Sequence, residues 1–260
     1  KNEKMKKFIM KSIKASLSIE LSRKIYTALS RNVLRDSSMR HSLPSIAYSK
    51  EDISASAELI ELLVDAVKVA NNTTLECGKS DLPDSPYLNV FPGEHYRLIN
   101  AIARVSKANN IVEIGTYTGM GTLSLKAGLP NVSVLTYDII KWDALDLPSH
   151  FDPSDFNEKL VQIIGDLSQD EFFNDNFDNL NNADIIFMDA PKDDKFEYEM
   201  ADKLTRLTPK EFRLLILDDI QFVNMIDLWR KIKSPKLDIT SFGHFSGTGV
   251  VDISNGLDLH

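Results

Sequence analysis

The chain has 260 residues, of which 43% are apolar and 26% charged, enough to bury one sizeable α/β core with a helical addition. Its single cysteine excludes a disulfide framework and suits a reducing compartment, so we expect a cytoplasmic protein. No apolar run approaches the roughly 18 residues of a membrane span, and no signal-peptide core is evident. The sequence therefore predicts neither membrane insertion nor export.

Charge is unevenly distributed along the chain. Residues 1–50 carry 12 Lys/Arg against 3 Asp/Glu, whereas the remainder carries 18 against 35. Apolar side chains recur every four residues in the basic segment and predict one or two amphipathic helices: Met5, Ile9, Ile13, Leu17, Leu21, Ile25 and Leu29. Such helices can cover a cleft, form a homodimer, contact an anionic membrane surface or simply extend the acidic domain. We assign residues 1–79 to a helical N-terminal region and residues 80–260 to the main domain.

The chain before residue 93 contains a further predicted helix and a loop. Residues 53–70 have the apolar spacing of a helix, and residues 71–92 contain three prolines, which indicate a loop.

The stretch VEIGTYTGMGTLSL, residues 112–125, is the most informative part of the sequence. Its first residues are β-branched and fit a buried parallel strand in which Glu113 is the only charge. Gly115, Gly119 and Gly121 follow, where the chain must turn tightly and admit a ligand close to its backbone. The glycine spacing is not G-x-G-x-x-G, so the stretch does not fit a dinucleotide fingerprint.

Glu113, Gly115, Tyr117 and Gly119 form the pattern E-x-G-x-Y-x-G. This pattern resembles motif I of class I S-adenosylmethionine-dependent methyltransferases, and most closely that of the metal-dependent O-methyltransferases typified by catechol and caffeoyl-CoA O-methyltransferases. The resemblance implies S-adenosylmethionine as cofactor and a Rossmann-like α/β fold, with a seven-stranded, mostly parallel sheet and helices on both faces. A nucleotide-binding protein of another class, without methyltransferase activity, remains an alternative.

The next two predicted strands end in further candidate cofactor ligands. Residues 132–137 are followed by Asp138, which is placed to accept both ribose hydroxyls of an adenosine. Residues 160–164 are followed by Gly165 and Asp166, which resemble the Gly-Asp pair that lies against the adenine in the family. The complete set of predicted cofactor-binding residues is Glu113, Gly115, Tyr117, Gly119, Asp138, Asp166 and Asp189.

Two more apolar strands end in acidic residues that predict a metal site. The strand at 183–188 leads into Asp189, and that at 213–217 leads into Asp218 and Asp219. Carboxyl ends of parallel strands lie along one sheet edge, so these carboxylates are expected to converge. The histidines are scattered in sequence and offer no evident softer ligand set, so Mg²⁺ is our first expectation, with Mn²⁺ or Ca²⁺ as alternatives. The alternative is that these are solvated strand-end acids that cap the following helices.

Lys192 follows Asp189 by three residues in the sequence D-A-P-K. In the metal-dependent family a lysine at this spacing acts as general base toward the substrate hydroxyl, and the resemblance implies that role here. The family's usual pair after the fifth strand is Asp-Asn, whereas this chain has Asp218 and Asp219. Because of this difference, the resemblance does not determine how a metal is coordinated or whether the substrate is a catechol.

Two histidines are further candidates on the substrate side. His95 lies in FPGEHYRLINAIA, residues 91–103, which resembles the family's helix leading into motif I. His244 lies in a glycine-containing loop between two predicted strands at 236–241 and 249–253, which suggest a terminal hairpin.

Together these features predict transfer of a methyl group from S-adenosylmethionine to a hydroxyl oxygen of a small-molecule acceptor: a phenol, a sugar or a natural-product intermediate. The main domain is acidic, and Asp189 is followed by A-P-K rather than an N-P-P-Y-type turn, so we expect no nucleic-acid substrate. A metal-independent methyltransferase with a histidine base is the alternative.

Overall fold

A computed structural model describes residues 54–193, 195–222 and 225–259, which all fall within one compact unit, Ser49–His260. The amphipathic helices predicted before residue 54 lie outside the described residues. Their expected roles as a cover, a dimer element or a membrane-contacting segment therefore stay predictions.

Seven strands form a single sheet in the order β3-β2-β1-β4-β5-β7-β6. Strands β1 to β5 are parallel, and β7 runs antiparallel between β5 and β6. This confirms the predicted seven-stranded, mostly parallel α/β fold. The strands are β1 Asn110–Ile114, β2 Ser133–Asp138, β3 Leu160–Ile164, β4 Ile185–Met188, β5 Leu214–Asp218, β6 Lys236–Asp238 and β7 Thr248–Asp252.

Helices connect and flank these strands. They are α1 Ala57–Asn71, α2 Tyr96–Val105, α3 Met120–Lys126, α4 Asp170–Asp175, α5 Phe177–Asn182, α6 Phe196–Leu204 and α7 Met225–Lys231. Short 3₁₀ turns occur at Ser85–Asn89, Pro153–Asp155 and Thr240–Phe242. The last of these explains why β6 is shorter than predicted, because the chain leaves the extended conformation soon after Asp238. None of the described helices is both long and apolar enough to cross a membrane.

Helix α1 packs in the core although it precedes residue 80, where we divided the chain. Ser56 caps its start by accepting a hydrogen bond from the Leu59 amide, 3.1 Å away. The helix buries one face, including Leu63 and Ala66, in the same cluster as Leu98 and Ile102 of α2. Part of the predicted N-terminal region therefore shares its core with the sheet, while the boundary itself stays a prediction.

Strands β1, β4 and β5 form the buried centre of the sheet, and every residue of β4 and β5 is buried. The strand order reverses between β1 and β4, since the chain proceeds from β1 outward to β3 and returns to β4 on the other side. In open α/β sheets such a reversal leaves a crevice at the carboxyl ends of the strands. The loops after β1 to β4 line this crevice, and the loop after β5 reaches it at Asp189.

Candidate active site

Buried hydroxyl groups fix the turn after β1. Thr136 donates a hydrogen bond to Glu113 Oε2 at 2.6 Å, and Thr122 at the start of α3 donates to the same oxygen. Thr116 in the turn is hydrogen-bonded to the Thr136 hydroxyl at 2.7 Å. One carboxyl group thus connects β1, β2, the turn and α3. Burial raises the pKa of Glu113 to about 8, although the threonine hydrogen bonds act in the opposite direction.

Gly115 has φ +102°, and a Cβ atom on it would overlap the carbonyl oxygen of Asp189. The Asp189 amide in turn donates to the Ile114 carbonyl at 2.9 Å. The ends of β1 and β4 therefore approach closely only because residue 115 has no side chain. Gly119 has φ +92° and lies against the Phe151 ring, outside the crevice.

A cavity of about 610 Å³ occupies the crevice beside this turn. Five of the predicted cofactor residues line it: Gly115, Tyr117, Asp138, Asp166 and Asp189. Its lining also includes apolar side chains from two loops and from the start of α6: Ile139, Leu167 and Phe196. Glu113 and Gly119 do not line the cavity: Glu113 lies beneath the turn that forms its wall, and Gly119 ends that turn against Phe151.

Asp138 and Asp166 are oriented by backbone and side-chain donors. Asp138 Oδ2 accepts hydrogen bonds from the amides of Thr116 and Tyr117 at 2.9 and 3.0 Å. Asp166 accepts from the Ser168 amide at 2.8 Å and from Gln169 Nε2 at 3.0 Å. Burial opposes ionisation of Asp166, but these hydrogen bonds lower its pKa below the usual value. Both carboxylates are therefore held in fixed orientations at the cavity wall.

Asp189, Asp218 and Asp219 converge at the Asp189 end of the cavity, and ligand oxygens of the three lie within 4.8 Å of one another. Asp218 is 2% exposed, and its Oδ1 atom is buried without a hydrogen-bond partner. Three convergent carboxylates with an unsatisfied buried oxygen fit a hard divalent cation. The sequence-predicted ligand set is thus brought together, while occupation by a metal stays a prediction.

Lys192 lies directly beside this cluster. Its Nζ contacts Asp189 Oδ1 and lies 3.3 Å from Asp219 Oδ2, and its side chain is 9% exposed. Burial lowers the pKa of Lys192, but the negative charges of Asp189, Asp218 and Asp219 outweigh burial and raise it above the usual value. Burial also raises the pKa of Asp189, despite the charge of Lys192.

His95 and His244 meet at Asp218, which the sequence did not reveal. Their Nδ1 atoms lie 3.4 and 3.3 Å from Asp218 Oδ1. Burial opposes protonation of His244, but the adjacent carboxylates of Asp218 and Asp219 raise its pKa to about 10. Burial likewise opposes ionisation of Asp218, yet the histidines hold its pKa below the usual range. Two of the histidines, His95 and His244, thus lie together at Asp218, although their separation in the sequence gave no sign of a histidine ligand set.

Backbone pairing explains why two distant segments meet. The Gly93 amide donates to the Gly243 carbonyl at 3.2 Å, and the Phe245 amide donates to the Gly93 carbonyl at 3.1 Å. This bridge aligns the chain before α2 with the loop before β7, so that His95 and His244 face each other across 5.3 Å between ring centroids. Glycines in both segments were the only sequence signal of such a close backbone approach.

Backbone strain is concentrated at the same edge. Among the described residues, four non-glycine residues have positive φ, and three of them belong to the site: Tyr117 at 44°, Lys192 at 55° and Asp219 at 61°. The Lys192 conformation is supported by its amide, which donates to Glu197 Oε1 at 2.6 Å. Such conformations cost about 1–3 kcal/mol each and persist where surrounding contacts determine them.

A model of the O-methyltransferase family matches residues 85–226, more than half of the chain and all the loops described above except the one carrying His244. The chain belongs to the O-methyltransferase family. This match confirms the prediction of an S-adenosylmethionine-dependent O-methyltransferase. That prediction was made from Glu113, Gly115, Tyr117 and Gly119.

Solved structures similar to this O-methyltransferase include the SAH-bound Podospora anserina methyltransferase PaMTH1, with 16% identity, a TM-score of 0.42, and coverage of 78% of this chain and 90% of that one. The SAM complex of the O-methyltransferase TomG from Streptomyces achromogenes, involved in tomaymycin synthesis, is 19% identical, with a TM-score of 0.40 and coverages of 74% and 89%. An O-methyltransferase from Bacillus cereus in complex with SAH is 17% identical, with a TM-score of 0.39 and coverages of 76% and 90%. No curated protein sequence matches the chain.

We predict that Glu113→Gln flattens the pH dependence of stability. Between the unfolded pKa of 4.5 and the folded pKa of about 8, the folded O-methyltransferase retains a proton that the unfolded chain loses. The free energy of unfolding therefore falls as pH rises through this window. Glutamine cannot ionise, so thermal melts at pH 5 and pH 8 should differ less for the variant. Glu158→Gln, at an exposed position, is the control. Equal pH slopes for Glu113→Gln and the wild type would contradict the assignment.

Proposed function

We propose that this O-methyltransferase transfers the methyl group of S-adenosylmethionine to a hydroxyl oxygen of a small-molecule acceptor, with a divalent metal on Asp189, Asp218 and Asp219 and with Lys192 as base. The observation that carries this proposal is the convergence of Asp218, Asp219 and Lys192 on Asp189, which lines the cavity. Asp189 therefore connects the proposed cofactor space with Lys192, the proposed base.

The cavity suits a cationic adenosyl cofactor. Its volume lies within the usual range of small-molecule sites, about 300–1,000 Å³, and apolar side chains offer a surface for a base. The cavity wall carries five acidic side chains and one basic side chain, Lys195, and this excess of negative charge favours a sulfonium over an anionic ligand. The acidic residues are Asp138, Asp166, Asp189, Asp193 and Glu199. Asp138 and Asp166 are proposed to accept hydrogen bonds from the ribose and adenine, while Glu113 and Gly119 shape the turn from below.

The three aspartates are proposed to hold Mg²⁺, with Mn²⁺ or Ca²⁺ as alternatives, because carboxylate oxygens are the ligands that these ions prefer. When bound, such an ion would orient the acceptor hydroxyl and lower its pKa. Asp219, in place of the family's usual asparagine, adds a negative charge and is expected to strengthen metal binding.

Lys192 is proposed to take the proton from the acceptor hydroxyl. Its amine lies between Asp189 and Asp219, and its buried position limits competition from water. The carboxylate charge that raises the pKa of Lys192 is the charge that a dication neutralises, so burial would then dominate and lower the pKa toward the range useful for a base. The positioned side chains supply orientation, while the cofactor supplies the reactive methyl group.

A metal-independent reaction with His244 as base is the second candidate. His244 Nε2 lies 3.5 Å from Glu94 Oε2, and its side chain is 18% exposed beside the carboxylate cluster. Because the neighbouring carboxylates raise the pKa of His244 to about 10, this route requires an alkaline pH at which the imidazole has lost its proton. The two candidates differ in their dependence on metal.

Asp138→Ala should weaken binding of S-adenosylmethionine by about 1–3 kcal/mol, because the ribose hydroxyls lose their partner and the turn loses an acceptor for two amides. Isothermal titration calorimetry measures this effect. Asp143→Ala, an exposed acid five residues later, should leave the affinity unchanged. Unchanged affinity in Asp138→Ala would remove this residue from the cofactor site.

A chelator should stop turnover while S-adenosylhomocysteine still binds, and Mg²⁺ or Mn²⁺ should restore the rate. Asp189→Ala and Asp218→Ala should raise the metal concentration needed, because each removes one oxygen ligand. Asp219→Asn, which recreates the family's usual pair, should be the mildest change. Full activity in excess chelator would reject the metal-dependent mechanism and favour the His244 alternative.

Lys192→Ala should lower the rate by about 10²–10⁴-fold, the usual contribution of a general base. Metal affinity should be retained, and raising the pH should restore part of the rate because the acceptor then ionises unaided. Steady-state kinetics from pH 6 to 10 measure both effects, with the exposed Lys68→Ala as control. A wild-type rate in Lys192→Ala would assign the base elsewhere.

A further inference from the structure

We propose a second metal site, formed by His95, Asp218 and His244, that binds a first-row transition metal such as Zn²⁺. Donor atoms of these three residues lie within 4.8 Å of one another. Two imidazole nitrogens and one carboxylate oxygen form a ligand set that suits Zn²⁺, Co²⁺ or Fe²⁺, whereas Mg²⁺ prefers oxygen ligands alone. The site is adjacent to the three-aspartate cluster and shares Asp218 with it. The proposal concerns binding and does not depend on methyl transfer.

The donor separations fit metal coordination better than hydrogen bonding. His95 Nδ1 and His244 Nδ1 lie 3.4 and 3.3 Å from Asp218 Oδ1. Charge-assisted hydrogen bonds are shorter, about 2.7–2.9 Å. Ligands about 2.1 Å from a tetrahedral Zn²⁺ lie about 3.4 Å from each other. The two separations that end on Asp218 Oδ1 therefore match the spacing of ligands around one tetrahedral ion.

The buried donors lack other partners. Both ring nitrogens of His95 and the Oδ1 atom of Asp218 are buried with no hydrogen bond, and each residue is 2% exposed. Leaving such buried polar atoms unpaired is unfavourable. A cation among them would pair His95 Nδ1 and Asp218 Oδ1 at once, while His95 Nε2 would keep no partner.

Two further features complete the site. His244 Nε2 lies 3.5 Å from Glu94 Oε2, so that the ring can direct its second nitrogen toward a carboxylate while Nδ1 faces the metal. Such outer carboxylates orient metal-bound histidines in many proteins. The His244 side chain is 18% exposed, which gives an ion access from the surface. The Ser246 hydroxyl, 2.7 Å from His244 Nδ1, would have to give up this hydrogen bond when a metal binds.

Zn²⁺ titration of the whole protein by calorimetry, in excess Mg²⁺, tests the proposal. One Zn²⁺ should bind, and Mg²⁺ should not displace it. Glu94→Gln should lower the Zn²⁺ affinity by about 10- to 100-fold, and His244→Asn and His95→Asn by more. His150→Gln is the matched control, because His150 is also buried and also lies beside a carboxylate, that of Asp84, but is not part of a three-residue ligand group among the described residues. It should bind Zn²⁺ as the wild type does.

Electron paramagnetic resonance with Cu²⁺ identifies the ligands directly, since coordinated imidazole nitrogens split the copper signal. The wild type should show this splitting, and thermal melts should establish which variants fold. If the buried His95→Asn does not fold, His244→Asn on the surface loop decides. Zn²⁺ affinity unchanged in His244→Asn, or a copper signal without nitrogen splitting, would overturn the proposal. Asp189→Asn should retain Zn²⁺ while disturbing the proposed Mg²⁺ site, so that failure of one proposal is distinguishable from failure of the other.

Discussion

The close approach of β1 and β4 at their carboxyl ends is the constraint on which the site depends. Gly115 accommodates the Asp189 carbonyl because it has no side chain. This contact sets Asp189 beside the turn after β1 and thereby joins the cavity to the carboxylate cluster. A wider separation would leave a nucleotide-sized crevice and a group of acids, without the direct relation between them that a transfer reaction needs.

Hydrogen bonds to Glu113 and Asp138 hold the turn after β1 in place. Glu113 accepts hydrogen bonds from threonines of β2 and α3, and the two amides that begin the turn donate to Asp138. The charged or polar groups of the motif are thus divided between two faces. Glu113 keeps the backbone in place from the protein interior, whereas Tyr117 and Asp138 face the cavity. The hydrogen bonds of Glu113 thus fix the backbone of the turn, while Tyr117 and Asp138 are exposed to the cavity.

The sequence predicted the sheet and the aspartate cluster because both follow local rules. Apolar runs ending in acids identify parallel strands, and parallel strands end at one edge, so Asp189, Asp218 and Asp219 had to meet whatever their separation in the chain. The histidines follow no such rule. His95 begins a helix and His244 lies in a loop, and only the backbone bridge at Gly93 brings them together. The inward direction of Glu113 also depended on hydroxyl partners in β2 and α3, which no spacing within the motif indicates.

The bridge between Gly93 and the loop before β7 also limits how this protein can vary. Surface loops usually tolerate changes in length. Here an insertion on either side of the bridge would move Glu94 and His95 relative to His244, and two segments about 150 residues apart would have to change together. In relatives that retain the histidines, we expect the lengths of these two loops to be inherited as a pair.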